Sequence, residues 1–494
     1  MKIIPYTYLL FLFISCNSNN NIKKDTEETK TNISQHSKEI KDKTEINHKI
    51  DNYINQTSKV HGIPGVALAV IQNGKIIHKE YYGKANIEHD LPVEKNTMFR
   101  VYSTTKLLTA TGVFQLIEKG KISLEDSISK YIDNLPQSWQ VVKIKNLLTH
   151  SSGLPNLIQY ENELSDSEMF TKLYEEKIEF PVDTKFSYNQ TNYWLLSLII
   201  EKITTQKFDE YILKNQFFSS KSGVLFSSNS LEVIPNRISK YNFDIDKGKY
   251  ITTTYNNDPR GHSGNGLNIT LEELITWNQN FDNGQFLKAE TNALMWNEFN
   301  FKNEKDKFLH GWGIYPINGK SSIGFTGGGV SGFRKFKEDN ITIILLTNGY
   351  KFFPVHNRII NHIAGIVDND LIDNESLQKE QITTNFLMLS IKEAIDHYKL
   401  IKKANPNMDF ENTLNSIGYT IAKIRINDAI AIFNLNVKEN PDSWNTYDSL
   451  GEGYEIYGDI KNAIVFYQKS VDLNPKNMHG IEKIKTLKKE LLEQ

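Results

Sequence analysis

Cysteine is all but missing from this chain. Among 494 residues there is one, Cys16, so no internal disulfide can form. An excess of one charge is missing too: 57 Lys and Arg stand against 59 Asp and Glu, a formal net charge of −2. That balance removes the electrostatic case for a nucleic-acid partner and confines any sizeable partner surface to a local patch. No Cys and His group has the spacing of a metal site, and neither a metal nor another cofactor is expected. The one apolar run near the start, Tyr8 to Ile14, is too short to cross a bilayer as a mature helix. What is present suffices for globular cores: 39% hydrophobic and 11% aromatic residues, in a chain longer than one core usually fills.

The short run has another use. Preceded by Met1-Lys2, it suits the core of a signal peptide over residues 1–15. It ends in Phe13-Ile14-Ser15-Cys16, which resembles a bacterial lipobox, with Phe13 where leucine is commoner. The resemblance implies cleavage before Cys16 and lipidation of that residue. The chain would then be exported and anchored to a bacterial cell-envelope membrane, Cys16 being its membrane contact. A plain secretory signal with an incidental cysteine is the alternative. Residues 16–48 are dominated by Asn, Ser, Lys, Glu and Thr and read as a disordered tether.

Residues 49–372 carry the pattern of one mixed domain. Pro64 to Ile71 and Lys75 to Tyr82 are strand-like and joined through Asn73-Gly74, a strong hairpin signal. A second strand pair, Phe333 to Lys337 and Ile341 to Leu346, closes the region, with helical patterns such as Tyr193 to Glu201 and Leu271 to Asn280 between. The predicted class is α/β in the α+β sense, an antiparallel sheet flanked by helices. Residues 373–408 read as a helical connector or degenerate repeat. In residues 409–494, Asp428 to Phe433 and Asn462 to Tyr467 are offset by 34, as are Pro441 and Pro475. That period, with Leu450-Gly451, Tyr454, Ala463, Tyr467 and Pro475 in its small and aromatic slots, resembles tetratricopeptide repeats, with Met478 to Gln494 as a capping helix. Such repeats imply a protein partner.

The chemistry starts at Ser103-Thr104-Thr105-Lys106. Residues three apart share a helix face, so a hydroxyl nucleophile and an amine meet at a predicted helix start, where first-turn N–H groups favour developing negative charge. After Lys106 the apolar Leu107, Ala110, Phe114 and Ile117 predict a buried face, with Gly120 as a stop. Spacing alone is weak: Ser127 and Lys130 repeat it in a charged stretch that reads as a solvated turn.

Two later stretches separate the two pairs. Thr149-His150-Ser151-Ser152-Gly153 and Ser187-Tyr188-Asn189-Gln190 follow the S-x-x-K, and Phe325-Thr326-Gly327-Gly328 comes third. In that order and spacing the chain, from about residue 50 to 370, resembles class C β-lactamases and related penicillin-binding serine hydrolases. The resemblance implies that Ser103 is acylated and that Lys106 keeps it ready for deprotonation. Tyr188 would exchange the proton, its pKa lowered from about 10 by a cationic Lys106. The backbone N–H groups of Ser103 and Gly328 would form the oxyanion hole. Gln190, Phe325, Thr326, Gly327 and Arg334 would contact substrate.

Two departures bear on the substrate. Gln190 replaces the family's asparagine and keeps the amide. Phe325 replaces the usual lysine or histidine, which argues against strong β-lactamase activity and leaves room for esters or neutral peptides. Arg334 is placed to supply the missing charge, though a surface strand arginine is the plainer reading. His150 reads as a structural residue of the motif, and His262 as part of a loop before a helix capped by Thr270. The expected activity is that of a serine hydrolase forming an acyl-serine on a peptide, β-lactam or ester. The alternative is a catalytically vestigial lipoprotein adaptor that binds peptides or proteins through its helical repeats.

Overall fold

The computed structural model describes residues 45–218, 222–257, 259–305 and 307–493. Cys16, the signal peptide and most of the tether lie outside the described residues. The last four tether residues, Glu45 to His48, are already helical: α1 runs Glu45–His61 and buries Ile50, Tyr53 and Ile54. The folded chain therefore begins a turn earlier than composition suggested.

A seven-stranded antiparallel sheet forms the centre. Strands β1 (Gly65–Gln72) and β2 (Lys75–Asn86) are joined by Asn73-Gly74, whose φ values of 51° and 74° are the left-handed pair that a tight hairpin turn of this twist needs. Beyond them come β3 (Leu91–Pro92) and, much later in the chain, β4 (Gly313–Ile317), β5 (Lys320–Gly327), β6 (Ser331–Phe336) and β7 (Ile341–Thr347). The spatial order is β4-β5-β6-β7-β1-β2-β3, so β7 pairs with β1 and stitches the two ends of the domain together. All residues of β6 and β7 are buried, because the sheet is covered on both faces. Ala67, Ala69, Ile344 and Phe333 join the large core that includes Trp277 and Phe281. The other face meets α4 (His356–Val367), whose Ile360 packs against Gly332.

Between β3 and β4 the chain builds helices. Helix α2 (Lys106–Glu118) is buried continuously from Lys106 to Leu116, on every side rather than along one predicted face. Gly120, at φ 64°, follows its end as anticipated. Helix α3 (Gln190–Thr204) is capped by Asn189, whose side chain accepts from the Thr191 N–H at 2.7 Å.

The region from Asn374 to Glu493 is all helical: α5 (Asn374–Met388), α6 (Ile391–Ala404), α7 (Glu411–Ile421), α8 (Ile426–Glu439), α9 (Trp444–Tyr457), α10 (Ile460–Leu473) and α11 (Met478–Glu493). Helices α8 and α10 start at Ile426 and Ile460 and end at Glu439 and Leu473, an offset of 34 at both ends. A core of its own, including Ile382, Phe386, Tyr398, Phe410, Phe433 and Leu450, holds the first five of these helices. Helix α5 also faces the sheet domain. Its buried Glu380 accepts from Tyr53 Oη of α1 at 2.7 Å and bonds His362 Nδ1 of α4 at 2.8 Å. No helix among the described residues is long and apolar enough to cross a membrane.

Candidate active site

Ser103 lies ahead of α2 rather than in its first α-turn. It belongs to a 3-10 turn, Tyr102–Thr105, and the α-helix begins at Lys106. With three residues per turn, positions 103 and 106 eclipse, so the pair still shares a side. The turn is entered through Tyr102 at φ 47°, a left-handed conformation that a bulky residue adopts only when its surroundings hold it. They do: the Arg100 guanidinium and the Lys240 ammonium lie 4.7 and 4.6 Å from the Tyr102 ring centre. Thr105 Oγ1 donates to the Tyr102 carbonyl at 2.6 Å, and Thr104 and Ser331 share a hydroxyl contact of 2.9 Å that ties the turn to β6.

The Ser103 hydroxyl is held by Tyr188, whose Oη donates to Ser103 Oγ at 2.8 Å. The Tyr188 ring stands at the rim, 38% exposed, while its hydroxyl points inward. Lys106 is fully buried below. Its amine donates to the Gly264 carbonyl at 2.8 Å and to Gln190 Oε1 at 3.1 Å, and lies 4.9 Å from the ring centres of both Tyr188 and Tyr193. Burial without a carboxylate partner pushes the Lys106 amine well below its ordinary range. The lowering of Tyr188 by Lys106 that the sequence suggested is not found. Burial of the hydroxyl raises the Tyr188 phenol, and the hydrogen bonds with Ser103 and Gln190 only partly oppose it. Burial thus shifts the amine down and the phenol up, each toward its neutral form.

Helix α3 delivers Gln190 and Tyr193, and His150 braces the tyrosine segment. His150 is buried at φ 55°, accepts from the Asn189 N–H at 3.1 Å, and tilts against the Tyr188 ring at 4.6 Å. Burial, with Lys106 second, holds its pKa well below the usual histidine value, so it is a neutral structural group. His262 starts a short helix, His262–Asn265, rather than lying in a loop. That helix carries a group the sequence reading passed over: the Gly264 carbonyl that receives Lys106. A Cβ at 264 would lie 2.7 Å from Gln190 Oε1 and 3.2 Å from Lys106 Nζ, so this position needs glycine for close approach. The glycines of Gly261-His262-Ser263-Gly264-Asn265-Gly266 were its only signal.

The third motif ends β5. Its pairing with β4 stops at Gly324 and Gly313, so among the described residues Phe325, Thr326 and Gly327 have no strand on that side. Gly327 passes so near the nucleophile that a Cβ there would sit 2.8 Å from the Ser103 nitrogen. Gly328, at φ 56°, lies over the Tyr102 ring. Phe325 is buried, its ring 6.3 Å from those of Tyr188 and Phe308 and 5.9 Å from Lys106 Nζ. An apolar wall stands where a cation was looked for.

Arg334 is not a surface arginine. It is 1% exposed, and because Phe325 pairs with Phe333, Arg334 faces the opposite side of the sheet. There its guanidinium donates to Ser322 Oγ at 3.2 Å and Asn357 Oδ1 at 2.5 Å and stacks on Tyr315 at 3.0 Å. The strand pattern misled because both faces of this sheet are covered. The second S-x-x-K is a surface turn: Ser127 caps Ile128–Lys130, and exposed Lys130 pairs with Asp126 at 3.2 Å. No group of three or more His, Cys, Asp or Glu among the described residues is arranged to hold a metal ion.

Known proteins resemble this chain. Residues 50–365 match the family model described as Beta-lactamase. Protein PbpX of Bacillus subtilis (strain 168), described as a candidate penicillin-binding protein, is 31% identical over 201 residues, which is 41% of this chain and 49% of that one. Protein flp of Staphylococcus aureus (strain MW2) is 25% identical over 173 residues, 33% of this chain and 35% of its own. The chain thus spans less than half of either curated relative. Among solved structures, the octameric penicillin-binding protein homologue from Pyrococcus abyssi superposes with a TM-score of 0.57 at 22% identity, over 68% of this chain and 81% of that one. A D-amino acid amidase from Ochrobactrum anthropi SV3 gives 0.54 at 18% identity, over 66% and 98%. These likenesses show the fold. With the family model matched across the whole sheet domain and the ordered motifs gathered at one hydroxyl, the chain belongs to the Beta-lactamase family.

Proposed function

We propose that the protein is a serine hydrolase that works through an acyl-Ser103 intermediate. The observation that carries this reading is the Tyr188 Oη contact to Ser103 Oγ at 2.8 Å, with a buried, partnerless-in-charge Lys106 directly beneath. In the proposed cycle Ser103 Oγ attacks the substrate carbonyl and its proton passes into the Tyr188–Lys106 pair, the amine being the base favoured by burial. The N–H groups of Ser103 and Gly328 receive the developing oxyanion. Tyr188 returns the proton to the departing alcohol or amine, and water then attacks the ester carbonyl, releasing the acid and restoring Ser103.

The apolar wall of Phe325, Phe308 and Tyr188 favours a neutral ester or peptide over a substrate that presents a carboxylate at that position, since Arg334 is engaged on the far face. The open edge of β5 at 325–327 suits an extended substrate that pairs with its main chain. The reading extends to export on a lipidated Cys16 and to tetratricopeptide-like repeats that receive a protein partner, the 34-residue helix offset supporting the latter. A vestigial site is the weaker reading, because the nucleophile, amine and phenol are all retained, with Tyr188 Oη bonded to Ser103 Oγ and Lys106 Nζ 4.9 Å from the Tyr188 ring centre.

The test is labelling of the full chain with a fluorophosphonate and a fluorescent penicillin in parallel. Ser103→Ala abolishes labelling by the fluorophosphonate while Ser127→Ala preserves it; Tyr188→Phe slows turnover by roughly 10²–10⁴. Labelling that persists in Ser103→Ala refutes the nucleophile.

A further inference from the structure

The nucleophile stands in the Tyr102–Thr105 turn, with Gly328 against it, whereas the carbonyl that receives the Lys106 amine belongs to Gly264. These segments are far apart in the chain, yet acylation needs them in one geometry. The Arg100 side chain reaches both. It closes the short strand Met98–Arg100, two residues before Tyr102, and is buried. Its guanidinium grips Asn265 twice: Nε donates to the main-chain carbonyl at 3.0 Å and Nη2 to Oδ1 at 2.8 Å. Two bonds from one planar fork fix the tilt of a residue as well as its distance. Asn265 is the neighbour of Gly264, and its Oδ1 also accepts from Ser228 Oγ at 3.0 Å.

The same guanidinium lies over two rings, 4.7 Å from the centre of Tyr102 and 4.8 Å from that of Tyr255. Gly328 rests on the Tyr102 ring, where a Cβ at 328 would meet Cγ at 2.7 Å. Tyr102 is held at φ 47°, so a ring that loses its support relaxes and the Gly328 main chain moves with it. The main-chain frame around Arg100 does not depend on its side chain. Its strand pairs with Asn268 to Thr270, the Val101 N–H donates to the Leu267 carbonyl at 2.9 Å, and the Leu267 N–H donates to Thr105 Oγ1 at 3.2 Å.

We propose that Arg100 is a positioning residue for acylation: its fork sets the Gly264 carbonyl beneath the Lys106 amine, and its face sets Tyr102 and with it the Gly328 main chain. The inference rests on the acyl-Ser103 reading and adds to it a residue that acts through Asn265 and Tyr102.

The experiment is stopped-flow acylation of the full chain by 4-nitrophenyl acetate, resolved into the rate at saturation and the half-saturating concentration. Phenylboronic acid, which forms a tetrahedral adduct, is the second probe, and fluorophosphonate titration counts the chains with a reactive serine. Arg100→Met removes fork and charge, and Arg100→Lys keeps the charge but not the fork. Each is expected to slow saturated acylation by roughly 10–10²-fold, the order of loss that misplacement by up to 1 Å brings. Half-saturation should stay within about threefold of the parent, because binding of the ground state is not what Arg100 arranges. Phenylboronic acid should weaken in step with the rate, and the titratable fraction should stay parental. A parental rate in Arg100→Lys, a loss confined to the titratable fraction, or an unchanged boronate affinity would each overturn the proposal. If Arg100→Met does not melt cooperatively, Asn265→Ala, which truncates one acceptor and leaves Arg100 in place, reads the same link, and a parental rate there would also overturn it. Ser103→Ala separates the two levels. Fluorophosphonate labelling that survives it removes the hydrolase reading and this inference together, whereas lost labelling beside parental Arg100 variants removes this inference alone.

Discussion

Gly264→Ala is the sharpest test of how the buried amine is held. The added Cβ would lie 2.7 Å from Gln190 Oε1 and 3.2 Å from Lys106 Nζ, both inside ordinary contact. Gln190 must withdraw by several tenths of an ångström at least, and Lys106 loses one of its two hydrogen-bond acceptors or moves with it. Overpacking of this kind costs about 1–3 kcal/mol of stability. The effect on rate is larger in proportion, because a displacement approaching 1 Å of a proton-handling group costs on the order of 10²-fold. Gly264→Ala should therefore lower the rate of Ser103 acylation by roughly 10–10²-fold, while the protein still melts cooperatively. The assay is stopped-flow acylation with an activated ester, beside a thermal melt of the same preparation. Gln190→Ser in the same chain makes room for the new methyl group and should recover stability without recovering the full rate, because it also removes the Lys106 contact. An unchanged acylation rate in Gly264→Ala would refute the claim that the Gly264 carbonyl and Gln190 together position the amine.

Phe325→Lys should raise activity on a carboxylate-bearing ester relative to its neutral analogue, and a uniform change on both would show that position 325 does not select charge. Acid should weaken the fold through His61 and His310, which burial lowers from 6.5 to about 4. The folded pKa lies below the unfolded one, so between those values the unfolded chain binds more protons and stability falls as pH drops, by up to about 3 kcal/mol for each group. Urea melts at pH 7 and pH 4.5 measure this, and equal midpoints would contradict it. A chain ending at Asp373 should lose solubility or melt several degrees lower, because it strips Glu380 from Tyr53 and His362 and bares the α4 face; a melting temperature equal to that of the full chain would rule out that bracing.

Legibility of the sequence followed what side chains alone can encode. The hairpin at Asn73-Gly74 could be read because two adjacent left-handed residues leave few alternatives, and both have the expected φ. Ser103, Tyr188 and Gln190 could be read because three motifs occur in order, and the structure brings their side chains within hydrogen-bond range of one another or of Lys106. The Gly264 carbonyl could not, since a main-chain oxygen has no letter of its own and a glycine chosen for close approach looks like any glycine in a loop. Arg334 reads as a surface residue in sequence because a cation in a strand suggests a wet face. Lys335 is buried as well, paired with Asp282 at 2.7 Å and bonded to Asn278 at 2.7 Å, so two successive cations point to opposite covered faces.

The reversal at Tyr188 has the same root. Charge was assigned to Lys106 from its usual pKa, and a cation beside a phenol lowers it. Burial acts first on the amine itself: with carbonyl and amide oxygens as its acceptors, and no carboxylate, its pKa is pushed well below the ordinary range. The phenol's own burial sets its direction, and Lys106 is not among the groups that move it. Burial thus drives both displacements, and they change the division of labour. A depressed phenol would be an anion waiting to take the serine proton. A raised phenol is a donor, which fits the direction of the bond it makes to Ser103 Oγ, and leaves the amine as the group able to accept. Substitution of Lys106 should for that reason cost acylation more than substitution of Tyr188, because Lys106→Met removes the acceptor while Tyr188→Phe removes a carrier that a water molecule at the exposed rim can partly replace.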